Sequence, residues 1–373
     1  MRVSKLSLLL ILLGAASAGA QIAPQTVQPT ETFQGPGENY FISVSRGAGR
    51  IFDATTGEMH GLINVSQMTP AIQPNDARRE FYATNLFWSR GNYGERTELL
   101  IVHDYENLAP IAEIELPPKS MIINFRNYIG LLSGGRHVAS SNMTPAQSVS
   151  ITDIVDREFV GEISTPGCSL ILPVENNDFL TICGDGTLML VQVDDNGNES
   201  NRVRSPQFFD LQEDAVYDRP VPTNDGWQLF THGGTAMHAT VDGDDIEIGD
   251  AWEMVTEEER AEGWWPGGGQ LATLHKDLGL FYIVMHQGER YSHHEPGNQV
   301  WVFSTQSRRK IATIEFENPI DNIMVTQEAE PRLIVGEAGG FGQGGGETHV
   351  YGALTFKYER TIEGASASLY EDF

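Results

Sequence analysis

The chain has 373 residues, 40% of them hydrophobic, enough for one large or two ordinary cores. Its 51 acidic residues against 24 basic ones give a formal charge of −27. A surface this acidic repels phosphate backbones, which argues against nucleic-acid binding, and it would steer a basic partner toward itself.

Met1–Lys5 carries Arg2 and Lys5, Leu6–Leu13 is apolar, and Gly14–Ala20 is made of small residues. That order is the pattern of a cleavable secretory signal, and the apolar run is too short to span a bilayer. Residues 1–20 are therefore expected to be removed after Ala20, with Ala18 as the alternative, and the mature chain to be exported without membrane insertion. Residues 21–40 are rich in Pro, Gln, Thr and Glu and read as a disordered arm.

From Phe41 a hairpin pattern takes over. Ile51–Ile63 reads as two short strands around Asp53–Gly57, because Asp opens turns and Gly supplies positive φ. Similar patterns follow at Leu100–Leu116, Val149–Ile163, Leu188–Gly197, Ala236–Asp250, Val300–Phe316 and Thr348–Ile362. Their turn-opening residues are Asp53, Asp104, Asp153, Asp194, Asp242, Ser304 and Gly352, spaced 51, 49, 41, 48, 62 and 48 residues apart. A degenerate period near 50, with almost no helix, predicts an all-β, seven-bladed β-propeller over residues 41–365. Residues 366–373 are expected as a C-terminal tail. Phe81–Phe87, Tyr128–Leu132, Trp227–Phe230, Leu280–Met285 and Arg332–Val335 are expected as inner strands. The longest gap holds one short helix near 256–262, opened by the capping-box pair Thr256 and Glu259 and stopped by Gly263.

Cys168 and Cys183 are the only cysteines. In an oxidising compartment they suggest one disulfide closing about 15 residues, worth roughly 3 kcal/mol in the chain-entropy model, with two buried thiols as the alternative. Trp264 and Trp265 lie beside a Gly-rich turn, where packing of a blade edge competes with a stacking or redox site. His286, His293 and His294 share one loop, but no acidic residue stands at a recognised ligand spacing, so no metal site is expected. Neither a CxxCH, a GxSxG nor an HExxH pattern occurs. The stretch around Phe87, Trp88, Arg90, Tyr93, Glu95 and Arg96 is dense in aromatics and in both charge signs. It reads either as a hairpin loop with local ion pairs or as a rim that meets another chain.

Three stretches, in order, carry a resemblance. Phe81–Pro117 (FYATNLFWSRGNYGERTELLIVHDYENLAPIAEIELP), Thr165–Leu188 (TPGCSLILPVENNDFLTICGDGTL) and Val255–His275 (VTEEERAEGWWPGGGQLATLH) resemble the heavy chain of the quinoprotein amine dehydrogenases, the methylamine and aromatic amine dehydrogenases. With the repeats, the resemblance covers Phe41–Ile362. It implies a seven-bladed heavy subunit in the periplasm, paired two-plus-two with a small disulfide-rich light chain. That light chain carries tryptophan tryptophylquinone and the catalytic base. Primary amines leave as aldehyde and ammonia, and electrons pass to a blue-copper protein, amicyanin- or azurin-like. The heavy chain carries no cofactor and no catalytic residue. It supplies scaffold, channel wall and docking surface.

The resemblance also assigns residues. Cys168 and Cys183 match an intrachain disulfide, and Phe41 is the candidate for the family's channel-lining Phe. Phe87, Trp88, Arg90, Tyr93, Arg96, Trp264 and Trp265 are the light-chain interface candidates. Trp264 and Trp265 are not the quinone pair, and Trp265 departs from the single Trp of the family segment. The alternative functions are a stand-alone periplasmic binding propeller without catalysis, and an autonomous propeller lactonase with a central metal.

Overall fold

The computed structural model describes residues 32–33, 35–37, 39–45, 47–66, 71–119, 126–339 and 346–373. The predicted signal segment and most of the predicted arm lie outside them. Among the described residues no helix is long and apolar enough to cross a membrane.

All seven hairpins predicted from the repeats form as antiparallel pairs. Each turn places one residue at positive φ: Gly57, Leu108, Arg157, Gly197, Gly243, Arg308 or Phe356. In six of the seven the register slips just before the turn, a bulge that a left-handed residue completes. Asp side chains hold the turns. Asp53 Oδ1 accepts from Thr55 N at 2.6 Å, Asp153 Oδ1 from Val155 N at 2.8 Å, and Asp194 Oδ1 from Asn198 N at 2.8 Å. Arg308 is exposed and sits at φ 56°, where a β-carbon is strained. Arg308→Gly is therefore expected to raise the free energy of unfolding by about 1 kcal/mol, read from urea denaturation.

Five sheets stand as separate blades. In hydrogen-bonded order the first is Leu369–Asp372, Tyr40–Ser45, Ala48–Asp53 and Met59–Asn64. The second begins with Ile72–Asn75, the third with Ile129–Leu131, the fourth with Cys168–Pro173 and the fifth with Val221–Pro222. The sixth sheet has eight strands. It is double width because Arg309–Val325, 17 residues long, pairs with Gly297–Ser304 along one half and with Arg332–Glu337 along the other. The expected seven-bladed β-propeller is corrected here: the described residues form five separate blades and one double-width, eight-stranded sheet.

Four of the five stretches expected as inner strands form the second strand from the axis instead. The innermost position is taken by shorter segments such as IQPN and VP. Only the expected Tyr128–Leu132 segment contributes an innermost strand, at Ile129–Leu131.

Each apolar cluster spans neighbouring sheets. Ile42 and Ile51 of the first pack with Ile72 and Phe81 of the second, and Phe41 and Phe52 of the first pack with Met324 and Ile334 of the sixth. The residues expected as a C-terminal tail close the ring as the innermost strand of the first sheet, with Val44 opposite Leu369. Leu369 and Tyr370 are buried. The Gln270 side chain brackets Tyr370, donating to its carbonyl at 3.0 Å and accepting from its N–H at 2.6 Å.

Arg126 faces two carboxylates of the closing strand, Glu371 at 2.6 Å and Asp372. One guanidinium cannot fully compensate both. Burial pushes the Glu371 carboxyl up to about 7 despite Arg126. Asp372 is half-buried, and Arg126 and Lys276 hold its carboxyl below its usual range against desolvation. Between pH 4.5 and about 7 the folded chain therefore binds more protons at Glu371 than the unfolded chain, so this group's contribution to stability falls as pH rises through that window. Glu371→Gln is expected to flatten that part of a stability-versus-pH curve.

Candidate functional site on the loop face

With four antiparallel strands per blade, every turn between the third and fourth strands lies on one face of the ring. The other face carries the loops between second and third strands and the connections to the next blade. The turns are short. The loops are not: residues 89–95, 205–220, 254–263 and 288–296 all lie on this second face. It therefore gathers every interface candidate read from the sequence.

Ser89 N donates to Glu95 O at 2.9 Å, and Arg90 N to Tyr93 O at 3.0 Å, which folds the 89–95 loop back on itself. Arg90 lies 5.9 Å from the Tyr93 ring centroid and Arg96 lies 5.8 Å from that of Trp88. Arg96 also pairs with Glu98. Phe87 and Tyr93 are left 48% and 63% exposed. The loop is braced by one ion pair and two cation–π contacts, and it presents aromatic surface. Beside it, between the first two blades, runs a groove of about 700 Å³ bordered by Asn64, Asn85, Phe87, Trp88 and His103. Asn85 Nδ2 and His103 Nε2 are buried there with no hydrogen-bond partner among the described residues. Burial holds the His103 imidazole below its usual pKa.

Trp264 and Trp265 sit on the sixth sheet, away from that loop. Adjacent residues on a strand point to opposite faces, so these two rings cannot be joined to each other. Trp264 packs 5.6 Å from Trp301, whose ring lies 3.4 Å under Lys310 Nζ. Lys310 pairs with Glu259, and Glu259 and Thr256 cap the short helix α1 (Glu257–Ala261) reciprocally. Trp265 Nε1 donates to Gly288 O at 3.2 Å. Both tryptophans thus anchor the inserted segment to its blade.

Phe41 is fully buried, stacked on Phe52 and edge-on to Tyr370, each with ring centroids 5.8 Å apart. In this chain it packs the junction of the first and sixth sheets rather than a described cavity. Cys168 and Cys183 face each other across neighbouring strands and form a disulfide.

The histidine loop acquires partners that sequence reading missed. His293 stacks on His232 at 4.2 Å and contacts His294 at 4.1 Å, and Tyr217 meets His232 edge-on. Burial, then His293, pushes His232 down to about 4. Stacked rings hold their nitrogens in parallel planes, so His232 and His293 do not converge on one point. They join the fifth and sixth sheets. His232 is far from the loop in sequence, and no spacing in the sequence links the two.

A ring of antiparallel sheets with its longer loops on one face defines a β-propeller. The family model of the methylamine dehydrogenase heavy chain (MADH) matches residues 26–341, and the chain belongs to that family. It is 26% identical over 285 residues to the methylamine dehydrogenase heavy chain of Methylophilus methylotrophus, covering 75% of this chain and 69% of that one. The Paracoccus versutus heavy chain is 26% identical over 317 residues, covering 84% and 72%. Solved structures similar in fold alone include a putative 6-phosphogluconolactonase from Bacteroides fragilis, with a TM-score of 0.59 at 12% identity, covering 90% of this chain and 99% of that one. A functionally unknown protein from Desulfotomaculum acetoxidans scores 0.59 at 13% identity, covering 89% and 98%.

Proposed function

We propose that this chain is the heavy subunit of an exported amine dehydrogenase. It oxidises primary amines to aldehyde and ammonia together with a small light chain, in a two-plus-two assembly in the periplasm. The light chain supplies tryptophan tryptophylquinone, which takes the electrons, and they leave to an amicyanin- or azurin-like copper protein. This chain's residues hold and orient that partner. The observation that carries the reading is the braced, partly exposed Phe87–Arg96 hairpin on the loop face of a family member. Phe87, Trp88, Arg90, Tyr93 and Arg96 are the docking residues, with Trp264 and Trp265 holding the neighbouring inserted segment in shape.

Native purification tests the reading. A cysteine-rich small chain and a quinone absorption band bleached by primary amine are expected to co-purify. A colourless, monomeric chain would leave the stand-alone binding propeller in its place.

A further inference from the structure

On the loop face of the sixth sheet, strand pairing assembles a group that sequence spacing does not reveal. Glu337 ends the strand Arg332–Glu337, and Glu347 precedes the strand Thr348–Gly352. Gly336 pairs with Thr348 and Val335 with His349, and Glu337 N donates to Glu347 O at 2.9 Å. The two glutamates are thus directly opposite, an arrangement that like charges disfavour. His349 is two residues beyond Glu347, on the same face. One ligand atom from each of Glu337, Glu347 and His349 lies within 4.8 Å of the others.

The surroundings orient two of the three. His349 Nδ1 is 2.7 Å from Thr361 Oγ1 on the next strand, and Thr361 is itself 3.0 Å from the Tyr358 hydroxyl. Asn318 Nδ2 donates to Glu337 Oε1 at 2.8 Å. Where Nδ1 gives its hydrogen to Thr361, the neutral imidazole turns its Nε2 lone pair toward Glu337 Oε1, 3.1 Å away, whereas in the other tautomer Nε2 donates to that carboxylate. In the first tautomer two acceptors face each other beside the second carboxylate, Glu347, and a cation between them relieves all three groups. Ligands about 2.0 Å from a tetrahedral zinc ion stand about 3.3 Å apart, close to that separation.

We infer that Glu337, Glu347 and His349 bind one divalent transition-metal ion, with the fourth position open to water. One imidazole and two carboxylates suit zinc, whereas calcium and magnesium prefer all-oxygen shells. The ion clamps the two ends of the 338–347 connection together on the loop face, and Thr361 positions its histidine ligand.

Zinc titration by calorimetry tests this on the chelator-treated, dialysed protein with whatever partner chain it retains. One zinc per chain is expected, with a raised thermal midpoint. His349→Ala, and Glu347→Gln at an exposed position, should each weaken binding at least tenfold while circular dichroism stays unchanged. Thr361→Val should weaken it less. Equal binding by wild type and both variants, or no binding by wild type, overturns the proposal and leaves the group as an ion pair only. Calcium competing at equal concentration overturns the transition-metal assignment.

Discussion

Deleting Leu369–Phe373 is expected to abolish cooperative unfolding of the whole ring, although it removes only five residues. Leu369 and Tyr370 are buried, and each large apolar side chain kept from water contributes about 1.5–3 kcal/mol. The deletion also strands Arg126, whose two carboxylate partners disappear. Breaking a buried pair this way costs about 3–5 kcal/mol. The sum is of the order of the whole stability of a typical domain, about 5–15 kcal/mol. Urea unfolding followed by Trp fluorescence checks it. A truncated chain with an unshifted, single transition would show that the closing strand is ornamental. Removing Phe373 alone serves as the mild control.

Phe87→Asp combined with Arg96→Glu is expected to weaken light-chain association at least 100-fold, about 2.7 kcal/mol. Phe87 offers exposed aromatic surface, and Arg96 braces the adjacent Trp88. The charge reversal places new acidic groups on a face already belonging to an acidic chain. Sedimentation of mixed heavy and light chains measures the effect, and the thermal midpoint of the heavy chain alone is the control. Undiminished association would remove this loop from the docking surface.

The hairpins were legible because their turns use local chemistry: an Asp or Ser that caps its own backbone, and a left-handed position four residues on in five of the seven. Arg157 and Arg308 fill that position without glycine, so spacing was a better guide than residue type. The innermost strands were illegible because segments such as VP and IQPN are too short to carry a period of two. The tail was misread because LYED looks like an acidic end. Its burial depends on Arg126 and Gln270, which lie far away in sequence. The same limit hid the Glu337, Glu347 and His349 group, since only the ladder between two strands puts the glutamates opposite each other. The two cysteines suggested a disulfide but left two buried thiols as the alternative; the strand pairing that sets them opposite each other decides it. Phe41, chosen by resemblance, turned out to be packed between Phe52 and Tyr370.

The continuous strand Arg309–Val325 makes the ring mechanically uneven. The two halves of the double-width sheet are welded by one unbroken strand, while the first sheet is closed by a seam of hydrogen bonds between the chain's two ends. A ring built this way breathes at the stitches. Amide protons of Tyr40–Ser45 and Leu369–Asp372 should exchange with solvent ahead of those in Ile320–Val325. Slow, partial opening would then admit proteases, chaperones or an assembling partner from the first blade's side.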